Sequence, residues 1–228
     1  MAAAQPGLRG RISAALLHPM AKPLLFLLGL LPFAWLMYGA FTDNLGANPA
    51  ENLIRSLGDW TLRFLCLTLA VTPLRVTAGL PGLARFRRML GLFVYFYAVL
   101  HLLSYSWFDM GFDFSDIAKD IAKRPFILVG FTAFLLLTPL AATSFNRAVK
   151  ALGVKRWQAL HKLVYGVAGL AILHFFWMRA GKNDFAEVAV YAAIIATLLG
   201  WRLARAKPAG ARAAVPGASG RRRFPVRE

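Results

Sequence analysis

Residues 88–107 read RMLGLFVYFYAVLHLLSYSW, and after Arg88 the stretch carries no formal charge until Asp109. At about 1.5 Å per residue, a helix over this stretch spans the ~30 Å hydrocarbon core of a bilayer. It also satisfies all of its own backbone hydrogen bonds there. One ionisable group, His101, sits inside the run. Such groups are costly in a spanning helix and mark functional positions.

Five more apolar runs flank this one, so the sequence predicts six spanning helices over about 23–41, 56–73, 88–107, 125–143, 157–178 and 185–204. The fold class is therefore an all-α, polytopic membrane helical bundle. Its expected organisation is a cytoplasmic N-terminal segment at 1–22, one transmembrane domain at 23–204 and a disordered basic tail at 205–228. The chain is 58% hydrophobic, with 27 Lys and Arg against 10 Asp and Glu. In a soluble protein that balance would suggest nucleic acid. Here the charges lie between the apolar runs, so the partner they imply is the lipid membrane, not nucleic acid.

The connections alternate in charge. Segments 1–22, 74–87, 144–156 and 205–228 are basic, with Glu228 their only acid, whereas the other three collect Asp43, Glu51, Asp109, Asp113, Asp116, Asp120 and Asp184. The positive-inside rule then places both termini in the cytoplasm. The first run resembles a secretory signal but is too long for one, and the alternation requires it to remain. The connection from Phe108 to Arg124 mixes aromatic residues with four aspartates. It reads equally as an amphipathic surface helix or as a solvated loop. The single cysteine, Cys66, excludes an internal disulfide and reads as a small core residue. No Gly-rich phosphate loop follows a strand anywhere, and the basic tail with Arg221, Arg222 and Arg223 is too short for a nucleotide-binding domain. Chemistry therefore belongs to the bundle.

Three of the four histidines lie in two of the predicted helices; His18, before the first helix, reads as an interfacial residue. His101 lies 13 residues after Arg88, and His174 lies 13 after His161. The third and fifth helices run in the same direction. The two histidines therefore share one depth, each roughly 20 Å above the inner level. Two neutral imidazoles opposed across a bundle, among Phe93, Phe96, Tyr97, Tyr105, Phe175, Phe176 and Trp177, provide what an iron porphyrin needs: an axial nitrogen on each face and apolar walls. Zinc or copper without a porphyrin would call for a third ligand, and none is evident at that depth.

His161 differs. Thirteen positions turn a helix about 140° away from the starting face, and the inner level offers Arg87 and Arg88 where a second pair would need a histidine. Arg75, Arg87, Arg88, Arg156, Trp157 and His161 form an inner cluster able to hold a quinone or a flavin phosphate, or simply to anchor the topology.

Three motifs together resemble a known family: Arg88-Met89-Leu90-Gly91-Leu92 with His101, the run from Arg156 through His161 to Tyr165, and His174. They are similar to the ferric-reductase-like transmembrane domain, and within it to the haem-binding membrane subunits of bacterial methionine sulfoxide reductase systems. The resemblance spans about residues 50–205. It implies a b-type cytochrome of the inner membrane, an electron-transfer subunit with no catalytic residues of its own. Such a subunit takes electrons from the quinone pool, directly or through FMN. It passes them by one or two haem b groups to a periplasmic molybdopterin-dependent catalytic subunit, its heterodimer partner in repairing oxidised proteins. His101 and His174 become the axial ligands of the haem iron, and His161 a second haem ligand or the inner electron-entry site with Arg87 and Arg88. Larger relatives carry four such histidines and a nucleotide domain, both missing here. Two other readings are a proton-coupled transporter, for which no paired broken helices or inverted repeat are found, and a stand-alone ferric reductase.

Overall fold

In a computed structural model, residues 7–181 and 183–205 are described; the expected tail beyond Arg205, with Arg221–Arg223, and Lys182 lie outside the described residues. Among the described residues the chain is helical throughout. A short α1 (Leu8–Leu17) leads into α2 (Ala21–Phe41), α3 (Pro49–Thr77), a 3₁₀ turn (Pro81–Phe86), α4 (Arg87–Phe108) and α5 (Phe114–Lys123). Then follow α6 (Pro125–Ala142), α7 (Asn146–Leu152), α8 (Val154–Leu160), α9 (Leu163–Ala180) and α10 (Ala186–Arg205).

Five of these segments are long and apolar enough to cross a membrane: α2, the 3₁₀ turn with α4, α6, α8 with α9, and α10. The sixth span expected from the sequence is α3. Its 29 residues run about 43 Å, but Glu51, Arg55, Asp59, Arg63 and Arg75 dilute its hydropathy. Those charges have places to go. Arg55 pairs with Glu51, and Arg63 donates to the Tyr191 hydroxyl at 3.1 Å while covering the Trp60 ring. Asn48 caps the helix by accepting from Glu51 N–H at 3.2 Å, and Pro49 fills the first turn, where a missing N–H costs nothing.

α3 is the axis of the fold, with Leu57, Leu65 and Leu69 almost inaccessible. It packs along α4, α6 packs along α9, and α10 closes against both α3 and α9. The two helix pairs meet where α4 touches α6. Leu31, Trp35, Tyr38 and Phe41 of α2 point outward, as expected when lipid is the solvent.

α2 docks on α4 through the Phe26–Phe93 and Phe33–Phe96 ring contacts and through one buried hydroxyl. Pro32 has no N–H to give the Leu28 carbonyl, and one residue on the Tyr97 hydroxyl joins the ladder, accepting from Phe33 N–H at 3.1 Å and donating to the Gly29 carbonyl at 2.8 Å. Gly29 is required there because a Cβ would lie 2.4 Å from the Phe93 ring.

Several connections carry more structure than the sequence suggests. The connection from Phe108 to Arg124 contains α5, capped by Asp113 accepting from Asp116 N–H at 3.0 Å and held by the Tyr105 hydroxyl donating to Asp120 at 2.6 Å. Of the two readings, the amphipathic helix is the one found. Segment 144–156 holds α7 and the start of α8, parted at Gly153, whose φ of 73° suits glycine. The predicted helix over 157–178 is broken after Leu160: Val164 N–H bonds back to His161 and Tyr165 N–H to Lys162 in 3₁₀ fashion, and α9 starts afresh at Leu163. Segment 1–22 contains α1, whose Leu16 carbonyl accepts from Arg85 at 3.0 Å.

Candidate functional site

α4 carries His101 and α9 carries His174 into one cavity of about 290 Å³ bounded by α3, α4, α6 and α9. The ring centres are 6.2 Å apart and the ring planes cross at 76°. Nδ1 of His101 donates to the Ile54 carbonyl at 2.8 Å, and Nδ1 of His174 donates to the Phe126 carbonyl at 2.7 Å. A carbonyl only accepts, so each Nδ1 carries the proton and each Nε2 keeps its lone pair for another partner.

The separation tests what that partner is. Two nitrogen–metal bonds of about 2.0–2.1 Å, with half an imidazole ring on either side, come to roughly 6 Å between ring centres. The walls fit a flat apolar macrocycle: Leu62, Leu65, Val94, Ala98, Phe131, Phe134, Leu137 and Ala171 all line the cavity. Among the described residues no three His, Cys, Asp or Glu side chains gather as a metal cluster, so a multi-ligand zinc or copper centre has no ligand set here. The pair fits the iron of a porphyrin, which brings its other four ligands itself.

The same cavity has a charged rim at the acidic end of the bundle that sequence reading did not assemble. Arg55, Asp59, Asp109, Arg124 and Arg179 line it together with Tyr105. Arg124 pairs with Asp120 at 2.9 Å, and Arg179 pairs with Asp184 at 2.9 Å and Glu187 at 2.6 Å. Arg124 and Arg179 lie just outside predicted helices and Asp59 lies inside one, so neither spacing nor hydropathy brings them together.

A second cavity of about 470 Å³ opens at the basic end, lined by His161, Trp157, Arg87 and Arg88 from the inner cluster and by Gln158, Lys162, Tyr165, Arg202 and Arg205. His161 stacks on Trp157, ring centres 4.0 Å apart, and its Nε2 lies 3.1 Å from the Thr143 hydroxyl. Trp157 Nε1 donates to the Thr143 carbonyl at 2.8 Å. Arg88 donates to Asn146 at 2.7 Å, and Arg202 to the Leu69 carbonyl at 2.6 Å. Arg75 and Arg156 are exposed and line neither cavity, because α3 and α8 turn those positions outward. His18 caps the end of α1, accepting from Met20 N–H at 3.2 Å. Leu65, Val94 and Leu137 line both cavities, so a single apolar layer separates them.

Fold and site define a membrane-spanning helical bundle built around a facing pair of imidazoles. The family model described as "Ferric reductase like transmembrane component" matches residues 57–172, just over half the chain. The protein-methionine-sulfoxide reductase heme-binding subunit MsrQ of Polaromonas naphthalenivorans (strain CJ2) is 77% identical over 188 residues, covering 82% of this chain and 86% of that protein. Its counterpart in Herminiimonas arsenicoxydans is 56% identical over 180 residues, covering 79% and 83%. The magnetosome protein MamZ of Magnetospirillum gryphiswaldense is 45% identical over 187 residues, which are 79% of this chain but 28% of MamZ. No solved structure matches. The chain belongs to the MsrQ family within the ferric-reductase-like transmembrane proteins.

Proposed function

We propose that this chain is a b-type cytochrome of the bacterial inner membrane that carries electrons from the quinone pool to a periplasmic methionine sulfoxide reductase. The observation that supports it most is the facing pair His101 and His174, 6.2 Å apart, with both Nδ1 atoms committed to helix carbonyls. The relatives' shared designation as heme-binding subunits points the same way. Bound there, haem b supplies a one-electron carrier. The chain's own part is to hold two imidazoles toward one point, to keep water away with the Leu62, Val94, Phe134 and Ala171 wall, and to set cations at the rim.

Electrons enter, on this reading, at the basic end. His161, Trp157, Arg87 and Arg88 surround a space suited to an anionic or aromatic redox partner, a quinone or the phosphate of FMN. The apolar layer of Leu65, Val94 and Leu137 keeps the route from there to the histidine pair short. Both termini are cytoplasmic, residues 23–204 form the one transmembrane domain, and the acidic end faces the periplasm. There the molybdopterin-dependent catalytic subunit docks as heterodimer partner, while this chain contributes no catalytic residue of its own. Pyridine haemochrome quantification with reduced-minus-oxidised spectra of the purified chain tests the reading. One haem b per chain is expected, absent from His101→Ala and His174→Ala. A ratio near two would make His161 an iron ligand as well, and a colourless chain would refute the reading.

A further inference from the structure

The two imidazoles are held by the same arrangement on two different helices. On α3 the Ile54 carbonyl accepts from His101, and four residues on is Gly58, where a Cβ would lie 3.2 Å from His101 Cε1 and 3.3 Å from Nδ1. On α6 the Phe126 carbonyl accepts from His174, and four residues on is Gly130, where a Cβ would lie 2.8 Å from both Cε1 and Nδ1. In an α-helix the carbonyl of residue i is taken by the N–H of i+4, and the Cβ of i+4 leans back over that carbonyl. The carbonyl keeps a second lone pair. At Ile54 and Phe126 the imidazole approaches through the space that a Cβ on the residue four positions on would occupy.

We propose that Gly58 and Gly130 are positioning residues for the two axial imidazoles. Each opens a helix carbonyl to its histidine's Nδ1–H and so fixes both the rotation of the ring and the nitrogen presented to the cofactor. The proposal rests on the reading of His101 and His174 as haem ligands. The two sites differ in tightness. At Gly130 an added methyl group forces the His174 ring to shift from its place under Phe126; at Gly58 a displacement of a few tenths of an ångström suffices. By contrast, a Cβ at Gly169, on the same helix as His174, meets nothing within 4 Å.

The haem-loaded chain in detergent is compared as wild type, Gly130→Ala, Gly58→Ala and Gly169→Ala. The readouts are haem loss to apomyoglobin, the reduction potential and carbon monoxide binding to the ferrous form. Groups that orient a metal-bound histidine are worth about 10–100-fold in affinity. Gly130→Ala is expected to weaken haem retention by that order, to shift the potential and to bind carbon monoxide where wild type does not. Gly58→Ala follows in the same direction with a smaller effect, and Gly169→Ala matches wild type. Should Gly130→Ala fail to accumulate, Gly58→Ala decides alone. Haem lost from His101→Ala and His174→Ala but held normally in both glycine variants overturns the proposal and spares the ligand reading. A wild-type chain without haem overturns both.

Discussion

Tyr97→Phe deletes a single oxygen, and its cost can be worked from the two bonds that the hydroxyl makes to α2. Tyr97 is fully buried, and its hydroxyl bridges the Phe33 N–H and the Gly29 carbonyl. If α2 could close that gap by itself, the loss would be that of an ordinary net hydrogen bond, about 1 kcal/mol. The Pro32 ring opposes closure because it crowds the preceding turn. The N–H and the carbonyl then stay unpaired where no water reaches them, at about 1–3 kcal/mol each. We expect a loss of about 3 kcal/mol, more than a hundredfold in the unfolding equilibrium. The haem spectrum should not change, since Tyr97 bonds to α2 rather than to either histidine. Reversible unfolding of the detergent-solubilised chain by sodium dodecyl sulfate, followed by circular dichroism, measures it. A Tyr97→Phe chain within about 0.5 kcal/mol of wild type would show that the hydroxyl is not what holds α2, and would refute the reasoning.

Other outcomes are as specific. Asp120→Asn weakens the charge-assisted bond from Tyr105 and the pairing with Arg124, so amide hydrogen exchange should rise across Phe114–Lys123 while α4 keeps its protection. Asp184→Asn removes one half-exposed partner of Arg179 but leaves Glu187, and a stability change below about 1 kcal/mol in the same unfolding titration is expected. His161→Ala leaves the His101 and His174 pair untouched and empties the place beside Trp157 and Thr143; the haem spectrum survives while reduction by a quinol slows in stopped-flow absorbance.

Much of this was legible in the sequence because two simple periods govern it. Hydropathy located α2, α4, α6 and α10 to within a few residues, since lipid-facing surfaces must be apolar whatever they pack against. Counting 13 residues from each inner reference put His101 and His174 at one depth, and the rings do face each other. Where hydropathy is weak, the reading fell short. α3 begins at Pro49 rather than near 56 because its first turns are capped and ion-paired, which raises no hydropathy. The break at His161 depends on a local turn, for which the apolar pattern carries no mark. Arg75 and Arg156 belong to the inner cluster by sequence proximity alone; helix rotation separates them from Arg87, Arg88 and His161. Gly58 and Gly130 were invisible for another reason: a glycine has meaning only once the histidine that approaches it is known.

Low-temperature electron paramagnetic resonance of the oxidised chain tests the histidine pair most directly. Imidazole planes crossing at 76° should give a strongly anisotropic low-spin ferric signal, kept in His161→Ala and absent from His101→Ala and His174→Ala. A wild-type signal surviving in either of the latter two variants would contradict the account.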